Sequence, residues 1–174
     1  ASAQFYADIY KTSKDRKGKW SEPVPLSDLI NSEFDEGAAS LPADFSELYY
    51  TSCPQLDNNT TRCAIYVSQR KEAQWASPLM LQLVKDSTVS FGHPAISPDG
   101  LKLIFVADMQ GTIGKKDLWI TTRTSKSGNW STPKNMGAEI NTTGNEMYPY
   151  IKNDTVVFFS SDQHIGMGGL DIFR

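Results

Sequence analysis

Short runs of apolar or alternating residues dominate the pattern of this chain. The clearest runs are LYYTS at 48–52, KLIFVA at 102–107, DLWITT at 117–122 and TVVFFSS at 155–161, and turn residues bound each of them. Alternation with a period of two predicts β-strands, and short bounded apolar runs predict buried strands. Residues 27–36 are the one ambiguous segment, which could hold a helical turn. The chain is therefore predicted to be all-β.

An internal repeat organises these strands. Three of the four tryptophans recur at an interval of 55 residues, and a proline follows each of these three tryptophans three positions later. These positions are Trp20, Trp75 and Trp130 with Pro23, Pro78 and Pro133. The same interval relates the acidic residues Asp44, Asp99 and Asp154. At twice this interval the segment INSEFDE matches INTTGNE, which aligns Glu36 with Glu146. Repeats of about this length are typical of propellers and solenoids.

Each repeat is predicted to form four antiparallel strands. The most legible copy places them at 93–97, 101–108, 117–123 and 129–136, with a Pro-Asp-Gly turn between the first two. A second series of aspartates opens the third strands, and its members are Asp8, Asp117 and Asp171. Because a four-stranded sheet has two faces to cover, the copies are expected to stack face to face around an axis. This arrangement is a β-propeller.

The predicted blade boundaries follow from the repeat. Residues 1–35 would supply strands three and four of one blade, 36–90 and 91–145 two full blades, and 146–174 the first three strands of another. About three repeats are too few for an ordinary closed ring. We therefore expect a single segment of a larger propeller, with two copies closing one ring as the alternative.

The repeated aromatic and acidic residues each allow two interpretations. Each tryptophan could wedge between neighbouring sheets, or the set could stack on sugar rings or peptides. Glu36 and Glu146 could form a glycosidase pair. Their equivalent places in different blades favour instead carboxylates that accept backbone N–H bonds at blade corners. The third-strand aspartates are expected to anchor the preceding hairpin loops, and the aspartates of the turns have a local turn explanation.

Cys53 and Cys63 lie at the two ends of one hairpin loop. Cross-strand neighbours that face the same side come within bonding distance, so we expect a disulfide, with two free thiols as the alternative. A disulfide fits an oxidising compartment. A zinc site is not expected, because the chain has only two histidines and neither lies near the cysteines in sequence.

Composition and motifs argue against several function classes. The net charge of -3 and a pI near 5.4 argue against a nucleic-acid partner. No apolar run approaches the roughly 20 residues of a membrane span. Neither GTIGKKD nor GMGG has the spacing and following helix of a phosphate-binding loop, and no G-x-S-x-G is present. We therefore predict no enzyme activity, no catalytic residue, no metal and no cofactor.

The residues also carry a family resemblance. The run HPAISPDGLKLIFVAD followed by DLWITT resembles the WD40-like (PD40, TolB-type) propeller repeat of bacterial envelope proteins. The W-x-x-P and I-N-x-x-x-x-E motifs and the closing GGLDIF are similar to the propeller of OmpA-family outer-membrane lipoproteins of Bacteroidetes, including those of the type IX secretion system.

This resemblance implies a non-enzymatic interaction scaffold. Such a propeller would be periplasmic and associated with the outer membrane, and its partners would be other envelope or secretion-system proteins. The alternative function is a propeller that binds, or hydrolyses, carbohydrate or peptidoglycan. The absence of a sialidase-type Asp box favours the scaffold.

Overall fold

A computed structural model describes residues 6–55 and 60–174, and this part of the chain forms fourteen short β-strands and no α-helix. The all-β prediction is confirmed for these residues. The strands are β1 Tyr10–Lys11, β2 Val24–Pro25, β3 Asp35–Ser40, β4 Glu47–Cys53, β5 Ala64–Lys71, β6 Gln74–Trp75, β7 Leu79–Met80, β8 Phe91–Ile96, β9 Lys102–Ala107, β10 Asp117–Thr122, β11 Lys134–Asn135, β12 Glu146–Asn153, β13 Val156–Ser161 and β14 Asp171–Phe173.

These strands form four antiparallel sheets in chain order. The first sheet holds β1 and β2, and the second holds β3, β4 and β5, with β6 and β7 both paired to β5. The third sheet runs β8–β9–β10–β11 and the fourth runs β12–β13–β14. Because strands pair with partners close in sequence, hairpin connections build every sheet.

The ambiguous segment at 27–36 contains a turn at 28–30 and the beginning of β3 at Asp35. Asn31 donates its backbone N–H to the Ser27 carbonyl at 2.9 Å. The Asn31 side chain then bonds both backbone groups of Ile9, at 2.9 and 3.0 Å. The equivalent Asn141 bonds both backbone groups of Leu118, at 2.8 and 3.0 Å. In both repeats the asparagine therefore fixes the link to the next sheet against the preceding sheet, at the residue before β1 and in β10.

A β-bulge recurs at the same place in the first strand of three sheets. Ala38, His93 and Tyr148 have φ values of 47, 49 and 52°, and each lies where the strand register shifts. A bulge leaves one residue unpaired and bends the strand. Pro94 and Pro149 follow two of these residues, and a proline without an N–H is tolerated at a bulge. The 55-residue repeat therefore extends to the backbone conformation.

The third sheet is buried on both faces. Leu103 and Phe105 of β9 belong to one buried cluster with Tyr49 of β4, while Ile104 belongs to a second cluster with Phe159 of β13. This alternation follows from the period-two direction of side chains along a strand. A smaller cluster joins the first two sheets and contains Ile30, Leu48 and Tyr50. Neighbouring sheets are thus held together through apolar faces.

Candidate functional site

The repeated tryptophans have different environments in the three sheets. Trp130 is half-buried and meets Tyr49 of β4 edge to face, with ring centroids 6.4 Å apart. Trp75 is also half-buried and packs on the cluster around Leu48. Trp20 is 58% exposed, so the expected seam position is not met there. The prolines follow the same trend, since Pro78 and Pro133 are half-buried and Pro23 is exposed.

A basic side chain lies over each of the three repeated tryptophan rings. Lys14 Nζ is 4.6 Å from the Trp20 centroid, Arg70 Cζ is 5.8 Å from the Trp75 centroid, and Arg123 Cζ is 4.6 Å from the Trp130 centroid. These are cation–π distances. The sequence repeat does not indicate these pairs, although a basic residue precedes each repeated tryptophan by five to seven positions.

The third of these pairs belongs to a buried charge network between the second and third sheets. Arg123 binds both carboxylate oxygens of Glu47, at 2.5 and 3.4 Å, and the two side chains are only 5% and 7% exposed. The guanidinium also donates to the carbonyls of Gly100 and Lys126 at 2.8 and 2.7 Å. The Tyr49 hydroxyl donates to Glu47 at 2.9 Å. Burial, reinforced by the Glu47 charge, raises the pKa of Tyr49, so this phenol stays a donor.

An open groove of about 960 Å³ lies between the first and second sheets. Its walls carry Trp20, Leu41, Phe45, Arg70 and Trp75. Large apolar side chains remain exposed along it, including Trp20 at 58%, Phe45 at 55% and Leu41 at 37%. We refer to this feature as the first groove. An exposed apolar concavity of this kind is a candidate binding site.

The same positions are covered in the next repeat. Leu41 corresponds to Ile96 at the 55-residue interval, and Ile96 is only 4% exposed. Arg70 and Trp75 correspond to Arg123 and Trp130, which Glu47 and Tyr49 of β4 cover. In the second sheet β4 covers these positions of the third sheet. Among residues 6–55 and 60–174 the first sheet has no strand equivalent to β4, so the corresponding positions of the second sheet line the first groove.

Glu36 and Glu146 each accept three hydrogen bonds in separate sheets. Glu36 accepts the Ser32 N–H at 3.0 Å and the hydroxyls of Ser32 and Ser52 at 2.7 and 2.8 Å. Glu146 repeats this pattern with the N–H and hydroxyl of Thr142, at 2.9 and 2.6 Å, and with a serine hydroxyl of β13 at 2.7 Å. Each carboxylate thus bonds the turn that precedes its strand and a serine of the neighbouring strand. These bonds include the backbone N–H bond that was expected from the sequence.

Two of the third-strand aspartates bond the loop that precedes them. Asp117 accepts the N–H groups of Ile113 and Gly114 at 2.6 and 3.2 Å, and Asp171 accepts those of Met167 and Gly168 at 2.5 and 3.1 Å. Asp8 is exposed. The loop positions that it would bond by the same spacing, 4 and 5, lie outside the described residues.

The aspartates of the turns divide into two local roles. Asp44 and Asp99 accept the N–H two residues ahead, at 3.1 and 2.9 Å. Lys126 of the third sheet also bonds Asp44 and, together with Ser46, lowers the pKa of this carboxyl to about 2. In the last turn Asn153 accepts the N–H instead. Asp154 forms an exposed ion pair with Lys102 at 2.6 Å, so the expected turn role belongs to its neighbour.

Cys53 and Cys63 form a disulfide, which confirms the sequence prediction. The bridge joins the end of β4 to the residue before β5, and the two cysteines are ten residues apart. It closes the loop between the second and third strands of the second sheet. Neither cysteine is free.

Loss of this disulfide is expected to cost about 2 to 3 kcal/mol of unfolding free energy, because the unfolded chain gains the entropy of an open loop. Urea unfolding of the Cys53→Ser/Cys63→Ser variant would measure this loss. The wild type should shift to the variant's midpoint when a reductant is added, whereas the variant should not respond. Identical wild-type midpoints with and without reductant would contradict the prediction.

Trp130→Ala is expected to destabilise the chain by about 2 to 3 kcal/mol, below the range for a fully buried aromatic because Trp130 is half-buried. Trp20→Ala is the matched control, since it removes the same ring from an exposed position of the repeat. Its effect should stay within about 0.5 to 1 kcal/mol. Thermal unfolding of both variants provides the comparison. Equal losses would show that the repeat position, and not the packing, sets the stability.

Among residues 6–55 and 60–174, no three His, Cys, Asp or Glu side chains are grouped to hold a metal ion. The described strands and turns also include no helix of the length and apolarity that a bilayer span requires. No protein-family description matches the chain, and no curated protein is significantly similar to it.

Proposed function

We propose that the chain is a segment of a β-propeller and that its four sheets are successive blades. Three features support this proposal. The 55-residue repeat recurs in sequence and in the backbone bulges, consecutive antiparallel sheets are joined through apolar clusters, and β8 packs against both β3 and β12. Repetition of one small sheet around an axis gives each apolar face a neighbour.

We further propose that this segment is a non-enzymatic interaction scaffold of the bacterial envelope. The observation that carries this proposal is the exposure of large apolar side chains, Phe45 at 55% and Leu79 at 71%, while the repeated carboxylates Glu36 and Glu146 are engaged in structural bonds. The disulfide supports a periplasmic location, since disulfides persist in oxidising compartments. The resemblance to WD40-like repeats of OmpA-family outer-membrane lipoproteins makes envelope or type IX secretion proteins the expected partners.

One observation favours carbohydrate binding as the second candidate. Trp20 and Tyr10 both line the first groove and are 58% and 55% exposed. Exposed aromatic rings can stack on the apolar faces of sugars. Both candidate functions place the ligand at the first groove, but one ligand is a protein and the other is a glycan. Binding experiments can therefore separate them.

The decisive experiment is site-specific photo-crosslinking of the full-length parent protein in its own cells. A photoreactive phenylalanine at Phe45 would report on the first groove, and one at Tyr150, 61% exposed on the fourth sheet, would be the control. The scaffold proposal expects a discrete adduct with an envelope protein from Phe45. Micromolar binding of a glycan or muropeptide that Trp20→Ala abolishes, without a protein adduct, would replace it by the carbohydrate candidate.

A further inference from the structure

A histidine of the third sheet meets a tyrosine of the fourth sheet at the recurring bulge. The His93 imidazole stacks on the Tyr148 ring, with centroids 4.4 Å apart and ring planes 16° from parallel. The two residues hold equivalent bulge positions in β8 and β12, which pack against each other. The His93 N–H donates to Thr51 Oγ1 of β4 at 2.8 Å, so the second sheet holds this backbone. The stack therefore joins the third and fourth sheets at a fixed point.

One ring nitrogen of this histidine is buried without a partner. His93 Nδ1 is closed off from solvent and forms no hydrogen bond with any of the described residues. Because those residues themselves bury the atom, its environment is set within this part of the chain. A neutral imidazole can present Nδ1 as a bare acceptor, whereas an imidazolium places an N–H there with no acceptor. A buried donor of this kind is costly, and more so when it is charged.

The nearest charge is of the wrong sign to compensate. Lys116 lies at the same junction of sheets, where its carbonyl accepts the Glu146 N–H at 2.7 Å. Burial, followed by the Lys116 charge, lowers the pKa of His93. Attraction between an imidazolium and the Tyr148 ring acts in the opposite direction. Because Tyr148 is 55% exposed, this cation–π attraction is weak.

No carboxylate on the strands packed against β8 is directed to His93. Those strands are β3, β4, β5, β9 and β12. Lys71 and Lys152 are exposed, and the tyrosines stay neutral throughout the acid range. The remaining charged side chains of these strands have the partners described above or, for Asp35, the Ala7 N–H, and they are Asp35, Glu36, Glu47, Arg70, Lys102 and Glu146.

We propose that the His93–Tyr148 stack is an acid-sensitive contact between the third and fourth sheets. The neutral imidazole stabilises the packing of β8 on β12, and protonation of His93 weakens it. The direction follows from proton linkage, because the unfolded chain binds this proton more readily than the folded chain. The stability from His93 is full above the unfolded pKa of 6.5, and it is lost as the pH falls from there through the folded-state pKa. The interface between these sheets would thus respond to the pH of its compartment.

Urea unfolding of the oxidised chain between about pH 7.5 and about pH 5 tests the proposal. The wild-type midpoint should fall over this range. His93→Phe keeps a flat ring on Tyr148 without a titrating nitrogen, so it should lose most of that fall. His164→Phe is the matched control, because it removes the other histidine of the chain, and it should retain the fall.

NMR titration of the wild-type chain gives a second readout that needs no variant. His93 should protonate at a lower pH than an unfolded histidine, and the Tyr148 ring signals should shift with the same midpoint. Lys116→Gln should move this midpoint to higher pH, because it removes the neighbouring positive charge. Lys115→Gln makes the same change at the adjacent exposed lysine, whose charge acts on Asp162, and should move it less.

Three results would overturn the proposal. The first is an equal fall of the midpoint in the wild type and in His93→Phe. The second is protonation of His93 at or above the pKa of an unfolded histidine. The third is a Tyr148 ring whose signals do not respond when His93 takes up its proton.

Discussion

Glu47→Gln is expected to lower the free energy of unfolding by about 3 kcal/mol or more, because it leaves the Arg123 guanidinium charged, buried and without its counter-ion. Glutamine keeps the volume of glutamate, so the loss reports charge and not packing. The Arg123 guanidinium cannot deprotonate, so it cannot become neutral to avoid the cost of a buried, unpaired charge. Urea unfolding at neutral pH measures the change.

Asp154→Asn is the matched control for this prediction. It removes one partner of the Lys102–Asp154 pair, whose side chains are 37% and 74% exposed, and surface pairs of this kind contribute little. Its unfolding midpoint should be close to that of the wild type. If both variants had similar midpoints, the Arg123–Glu47 pair would not be a structural element of the interface between the second and third sheets.

Replacement of both partners tests the physical cause. A Glu47→Leu/Arg123→Met variant should recover part of the stability lost by Glu47→Gln, because apolar substitution of a buried pair removes the desolvation cost of both charges. Recovery should be incomplete, since the Gly100 and Lys126 carbonyls would lose their guanidinium donor. A double variant that is less stable than Glu47→Gln would show that these carbonyl bonds outweigh the charge pair.

Phe105→Ala is expected to cost about 3 to 5 kcal/mol, because a fully buried ring is lost and the surrounding sheets relax only in part. Phe105 is 0% exposed and meets Phe91 edge to face at 6.0 Å, within the cluster that joins the second and third sheets. Phe45→Ala removes the same ring at a position 55% exposed and should cost far less. Equal losses in denaturant unfolding would contradict this account of the core.

Strand positions were predicted best where apolar runs end at turn residues. The strands predicted at 101–108 and 117–123 are β9 Lys102–Ala107 and β10 Asp117–Thr122, each within one residue of its predicted bounds. The fourth strand, expected over 129–136, is only Lys134–Asn135 in the structure. Pro133 has no N–H to give to the ladder, so regular pairing begins after it. Local residue type thus limits what hydropathy alone can predict.

The candidate site depended on contacts that sequence spacing does not encode. The basic residues over the tryptophans precede them by a variable interval, which hid the pairs from a search at fixed period. The exposure of Trp20 depends on which element packs on it, and this is a tertiary property. By contrast, the Cys53–Cys63 bridge was predictable because hairpin geometry brings the two ends of one loop together.

The Cys53–Cys63 disulfide links the chain covalently across residues 54–62. A protease that nicks the backbone anywhere between Cys53 and Cys63 would add one water to the molecule but leave both pieces attached. On a gel such a nicked chain would run as one species until a reductant separated it into two. This loop is consequently a place where a cleavage site or a tag can be inserted while β4 and β5 stay tethered.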